Sequence, residues 1–275
     1  MNRRHRTPPI AAIIVIAAII GFLVPVYWLV NTAFKPFTEA SAGYPPSLLP
    51  KTPTLDNFWI ALVERGGLGS LLDSSIVAFG TLVLCLLLAI PAAYSVSRFR
   101  LWQGQLAVVI LSFRFMPPVV VSVALYQIST RLGLQDTHLA LILVDAAVSL
   151  PFMIWLLKGF FDELPREIEE AAAVDGASHL QILRSIVLPL SGPGLVSTAL
   201  FTFVFTWNEL LFALLLTDVD VRPFAKLVPG LTSGVNEPHW SALAAISLVI
   251  IVPIVLAAFY LQRFLVRGLT YGALK

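Results

Sequence analysis

Six apolar runs of near-spanning length constrain this chain more than any other feature; they cover about residues 10–30, 71–93, 106–126, 139–157, 195–216 and 242–261. An α-helix needs about 20 apolar residues to cross the hydrocarbon core of a bilayer. Charged residues make up 12% of the chain and hydrophobic ones 58%, whereas a soluble domain carries about 25% charged residues. So few charges cannot cover a water-facing surface. The expectation is an all-α polytopic membrane protein, one domain over residues 1–275, with six transmembrane helices. The net charge of +2 gives no basis for a nucleic-acid partner. The single cysteine, Cys85, lies in an apolar run and excludes an intramolecular disulfide. It reads as a small core or lipid-facing hydrophobe.

Arg3, Arg4 and Arg6 precede the first run. A signal peptide has a shorter apolar core with a small-residue cleavage site directly after it. The only A-x-A, Ala40 to Ala42, lies well beyond this run, which therefore reads as an uncleaved span bent at Pro25. Residues 31–69 form a polar, proline-rich loop, with Pro36, Pro45, Pro46, Pro50 and Pro53 and a short helix around Asp56 to Val63. The third run contains Arg114 and Pro117-Pro118, so it is no simple rod. Residues 217–240 read as a polar loop and 262–275 as a short tail. With six spans both ends share one side. That side carries Arg3, Arg4, Arg6, Arg98, Arg100, Lys158, Arg166, Arg184, Arg263, Arg267 and Lys275. The other carries Lys35, Lys51, Arg65, Arg131, Arg222 and Lys226. The bias predicts cytoplasmic termini and places the loop between the fourth and fifth spans in the cytoplasm.

That loop, EAAAVDGASHLQILRSIVLP from Glu170 to Pro189, has local punctuation of its own. Pro165 suits the first turn of a helix, with Glu163 and Glu167 at its positive end. Leu164, Ile168 and Ala171 or Ala172 are spaced for one face. Gly176 suits a left-handed helix stop, Ser178 and Gln181 have capping-box spacing, and Pro189 ends the second helix. On physics alone this could be a plain αα-hairpin between spans. Gly192-Pro193-Gly194 reads as a breaker before the fifth span.

Ionisable groups inside hydrocarbon must face protein or a wet cavity. Arg114, Asp145 and Glu209 are the clearest. Trp207-Asn208-Glu209 offers a ring face and hydrogen-bonding groups of the types that a sugar site needs, and Asp145 is a further candidate for the substrate path. The structural alternative pairs Glu209 or Asp145 with Arg114, and Arg114 with Pro117 and Pro118 fits a fixed bend better than a ligand site. Two membrane carboxylates could also relay protons in a secondary transporter. Enzyme signatures are lacking: the sequence has no H-E-x-x-H, Gly-x-Ser-x-Gly or phosphate-binding G-x-x-x-x-G-K-[ST]. His5, His138, His179 and His239 are too scattered to suggest a metal site.

Glu170-Ala171-Ala172, Gly176, Ile186 and Leu188-Pro189 together match E-A-A, three residues, Gly, nine residues, Ile, one residue, Leu-Pro. This pattern resembles the signature loop of the membrane subunits of binding-protein-dependent ABC importers. Further likeness lies in Arg98-Phe99-Arg100, Met116-Pro117-Pro118, Pro151-Phe152 with Trp155, Gly159-Phe160-Phe161, Leu164-Pro165 and Glu169-Glu170. Trp207-Asn208-Glu209-Leu210 resembles the sugar-importing branch, with Leu210 where phenylalanine is more usual. The ending Arg267-Gly268-Leu269-Thr270-x-Gly272-Ala273-x-Lys275 is similar to that of the maltose-type second permease.

The resemblance implies a carbohydrate importer in the inner membrane, with a second permease, two copies of an ATPase and an external solute-binding protein. The carried solute would be a sugar or related compound. This chain would bind no cofactor of its own, ATP-Mg being held by the ATPases. The coupling helix would be Arg166 to Gly176, including Glu169 and Asp175, with Glu170 making a polar contact to the ATPase, Ala171 and Ala172 allowing close approach, and Gly176 setting the turn. The tail with Gly268, Thr270, Gly272 and Lys275 would lie near the ATPases. A purely structural membrane subunit remains the non-transport alternative.

Overall fold

The computed structural model describes residues 9–41, 47–99, 105–232 and 239–271. Expectations attached to Arg3, Arg4, Arg6, Pro45, Pro46, Arg100, Gly272, Ala273 and Lys275 lie outside these residues. Among the described residues every regular element is helical. In chain order these are α1 (Pro9–Ala33), α2 (Phe37–Ala40), α3 (Asp56–Trp59), α4 (Gly67–Arg98), α5 (Leu106–Ser112), α6 (Pro118–Arg131) and α7 (His138–Asp162). There follow α8 (Arg166–Val174), α9 (His179–Ile182), α10 (Leu188–Leu190), α11 (Gly192–Trp207), α12 (Leu211–Leu216), α13 (Phe224–Thr232) and α14 (Trp240–Tyr271). Wide π-helical turns extend α3 over Ile60–Glu64 and join α9 to α10 over Leu183–Val187.

Among the described residues four helices are long and apolar enough to cross a membrane unbroken: Ile10–Ala33, Gly67–Arg98, His138–Asp162 and Trp240–Tyr260. Counting each of two bent helix pairs as one span raises the total to six. The helices exceed the expected spans at their ends. Arg98 closes α4 instead of following it, and α14 runs on to Tyr271 where a tail was expected. These end turns, which carry Arg98 in α4 and Arg263 and Arg267 in α14, stay helical because helix formation propagates cooperatively along the backbone. The expected loop 217–240 also contains a helix, α13.

The third and fifth apolar segments are not single rods. Leu106–Phe115 and Pro118–Arg131 meet at 88°. Met116 and Pro117 are extended at this break, and Pro118 opens α6, where its missing N–H costs nothing. The fifth segment begins at an 81° bend between His179–Leu190 and Gly192–Trp207. It is interrupted again at Asn208 to Leu210, before α12.

The chain divides into two compact units, Met1–Leu68 with Val228–Val252, and Gly69–Leu227 with Pro253–Lys275. In the first, Ala33, Ala244 and Ala245 form a close-packed core with Leu29, Phe34, Phe58 and Leu248. Buried Asn57 donates to Ala33 O at 2.8 Å and Lys35 O at 2.7 Å, satisfying carbonyls at the end of α1.

In the second unit, Cys85, Ala89, Ala93 and Tyr94 of α4 pack with Ala146, Met153, Leu157 and Phe161 of α7 and with Ile182, Leu183 and Val187 beyond α8. Cys85 is therefore a core residue. At the opposite end Val77, Leu141, Val144, Phe212, Leu216 and Val221 form a second cluster. There Asp136, whose φ is +57°, accepts the backbone N–H groups of Asp218, Val219, Asp220 and Val221 at 2.7–3.1 Å. Burial pushes the Asp136 carboxyl up, but the four donors outweigh it and hold the group below the usual carboxylate range. Asp73 adds a second tie, to His138 Nε2 and to Arg222 N, each at 2.8 Å.

Candidate functional site

The elbow between α7 and α11 is built by its own sequence. Pro165 is the N-cap of α8, and Glu163 caps the end of α7. Both sit slightly earlier relative to the helix than the spacing predicts. At the other end Gly176 has φ +87°. Gly176 N donates to Ala173 O at 3.1 Å and Ala177 N to Ala172 O at 2.9 Å, the paired bonds of a Schellman stop. Asp175 is the C-cap. Ser178 and Gln181 then form the reciprocal capping box that starts α9. The second arm does not stop at Pro189; it continues through the π-helical turn containing Ile186 to Leu190.

The residues spaced for one face at α8 are not buried together. Leu164 and Ala172 pack against the core, but Ile168 and Ala171 are exposed, and the buried residue between them is Glu169. A carboxylate takes that place because α4 supplies its partners. Arg98 reaches Glu169 Oε1 through Nη2 at 2.5 Å and Nε at 2.7 Å. Tyr94 Oη donates to Glu169 Oε2 at 3.0 Å. Arg98 Nη2 also donates to Phe161 O at 2.8 Å, and Arg166 Nη2 to Ser97 O at 3.2 Å. Ser97 Oγ donates to Asp162. The end of α4, the end of α7 and the elbow thus share one polar network. Sequence reasoning missed Tyr94, Ser97 and Asp162. The signal available was a tyrosine and an arginine four residues apart at the polar end of an apolar helix, a spacing that puts both on one face.

The surface opposite this network is apolar in places. Val174 is 88% exposed, Leu180 63% and Ile168 43%. Glu170 and Pro189 are exposed, while Leu188 and Ile186 are half-buried. Gly268 and Thr270 lie within the helical end of α14.

The intramembrane candidates do not form the expected ion pair. Among the described residues Arg114 pairs with neither carboxylate; its guanidinium lies 4.2 Å from the Phe205 ring centroid. Glu209 sits in the break of the fifth segment and caps α12, accepting from Phe212 N at 3.0 Å and Ala213 N at 3.1 Å. A carboxylate at a helix start satisfies otherwise orphaned N–H groups, so it needs no arginine. Trp207 is buried between Phe203 and Phe224. Asn208 is exposed and bonds Val204 O at 2.8 Å. Asp145 is 4% exposed and has one oxygen without a protein partner.

Residues 85–271 match the family of binding-protein-dependent transport system inner membrane components. This chain belongs to that family. The permease is 36% identical over 254 residues to a probable ABC transporter permease protein, y4oR, of Sinorhizobium fredii, covering 92% of this chain and 91% of that one. It is 35% identical to the trehalose transport system permease protein SugB of Mycobacterium tuberculosis, covering 94% of each. Its fold matches a chain of a bacterial ABC transporter involved in import of the acidic polysaccharide alginate, with a TM-score of 0.76 and 21% identity over 96% of this chain and 100% of that one. The protein is a multi-pass membrane permease subunit of an ABC importer and is not itself the catalytic component. Among the described residues no group of three or more His, Cys, Asp or Glu could hold a metal ion.

Proposed function

We propose that this permease imports a sugar or sugar-related solute as one half of a heteromeric translocation path, a single transmembrane domain over residues 1–275. A second permease forms the other half, an external solute-binding protein delivers the solute, and two copies of an ATPase drive the cycle with ATP-Mg. The similarity to the trehalose transport system permease protein SugB supports this substrate class. Both termini and the elbow lie in the cytoplasm, as the arginine and lysine bias favours.

One observation carries the coupling role: an exposed, partly apolar helix is tied rigidly at its base. The Arg98–Glu169 network holds α8 to α4 and α7, while Ile168, Val174 and Leu180 stand exposed around Gly176. Exposed apolar side chains outside the spans favour docking against protein. A stiff two-helix lever passes a push from an ATPase to the transmembrane helices, whereas a floppy one would absorb it. Glu170, Ala171, Asp175 and Gly176 form the docking end, with Arg166 at the tied start of α8 and Ile186, Leu188 and Pro189 on the returning arm. ATP can shift the permease between its two states only through unequal affinity for them.

Reconstitution of the purified subunits in proteoliposomes tests the reading. Uptake of a labelled disaccharide should require ATP inside, the binding protein outside and this chain. Uptake that persists without the chain would sink the proposal, and so would Val174→Cys being labelled from the outside of intact cells.

A further inference from the structure

A small cavity lies beside the break in the fifth segment, lined by Asp145, Thr206, Trp207, Glu209, Ser74 and Ala213 among others. Its accessible volume of about 10 Å³ is far too small for a sugar and close to that of one water molecule. Three of the residues that line it each carry a buried polar atom without a protein partner: Asp145 Oδ1, Thr206 Oγ1 and Trp207 Nε1. Their residues are 4%, 5% and 3% exposed, respectively. Buried polar groups are nearly always hydrogen-bonded, either to protein or to ordered water.

We propose that this cavity is a binding site for a single water molecule that ties the Asn208–Leu210 break to α7. The donor and acceptor inventory selects the ligand. The indole N–H can only donate, so it needs an acceptor and would repel a bare cation. The free Asp145 oxygen needs a donor or a cation, and the Thr206 hydroxyl can do either. Water accepts from Trp207 Nε1 and donates to Asp145 Oδ1, with Thr206 and Glu209 left to complete its four bonds. No anion suits a site with two carboxylates, and a sodium ion would leave the indole unpartnered. Glu209 also caps α12, so the bound water links the end of α11 and the break itself to α7. This site is independent of which solute is carried.

Radiolytic hydroxyl labelling of the intact purified importer provides the test, since a trapped water generates radicals beside buried groups. Trp207 should be oxidised despite its burial, and after rapid transfer to ¹⁸O water the label should at first remain ¹⁶O. No oxidation of Trp207, or immediate ¹⁸O incorporation, would overturn the proposal. Thr206→Val and Trp207→Phe provide a second readout. Each should lower the melting temperature by a few degrees, and the double variant by no more than the worse single one, because either change releases the same water. Additive losses would sink the idea. Replacing sodium with choline should leave melting unchanged; a drop would assign the site to a cation instead.

Discussion

Arg98 and Glu169, 71 residues apart in sequence, form a buried ion pair in which Nη2 lies 2.5 Å from Oε1, their side chains 9% and 11% exposed. The pair fixes the first elbow helix, α8, to the end of α4. Breaking such a pair leaves one charge buried and uncompensated, at a cost on the order of 3 kcal/mol. Arg98→Ala should therefore leave the chain inserted but reduce co-purification with the ATPase and uptake, and Glu169→Gln should do so less severely because Tyr94 still has an acceptor. The double variant Arg98→Ala with Glu169→Ala should recover part of the lost stability, by melting temperature in detergent. Equal or greater loss in the double variant would mean that the pair is not the anchor.

Gly176 sets the angle between the two arms through its left-handed backbone. Gly176→Ala should cost about 1–2 kcal/mol from that conformation alone; a Cβ there meets no atom within 4 Å, so no clash adds to it. Gly176→Pro removes the N–H bonded to Ala173 O and should disrupt the turn. Both variants, and Glu170→Lys on the exposed face, should lower transport-linked ATP hydrolysis while the chain stays in the membrane. Normal hydrolysis and full ATPase retention in all three would remove the elbow from the coupling role.

Asp136 makes the loop at the far end of the second unit sensitive to acid. Its carboxyl is held below the usual range in the fold, so its stabilising effect is complete above the unfolded carboxylate range and is lost as pH falls through the lowered folded value. Neutral and mildly acidic conditions should leave the loop intact. Asp136→Ala removes all four backbone bonds. Amide exchange at Asp218 to Val221 should rise at least tenfold at neutral pH, while Asp136→Asn, with one good acceptor left, should be intermediate. Unchanged exchange in the alanine variant would contradict the clasp.

Gly194 has no room for a side chain because a Cβ there would strike the Phe160 ring of α7. Gly194→Ala should destabilise the permease by about 1–3 kcal/mol through overpacking. Adding Phe160→Leu should restore much of the melting temperature. If Gly194→Ala alone melts normally, α7 and α11 do not pack this closely.

Much of the elbow was legible because its signals are local. Gly176, Ser178 and Gln181 each act within a few residues of chain, and the structure contains the turn and the capping box that their spacing predicts. Pro117 and Pro118 likewise mark the break in the third segment, though its angle of 88° was not legible. The buried face of α8 was not legible: spacing puts Leu164, Ile168 and Ala171 on one face, and nothing near Glu169 in sequence announces that Arg98 and Tyr94 wait for it.

The sequence by itself determined the helical class, the approximate spans and the shape of the elbow, since hydrophobic run length and backbone punctuation act over short distances along the chain. Only the tertiary structure decided which carboxylates are anchored and by what. Glu169 found an arginine on α4, Glu209 found helix N–H groups where Arg114 was expected, and Asp145 was left facing a cavity of about one water molecule. A buried charge is stabilised by whatever partner folding brings beside it, and that partner is set by packing between distant segments rather than by spacing within one.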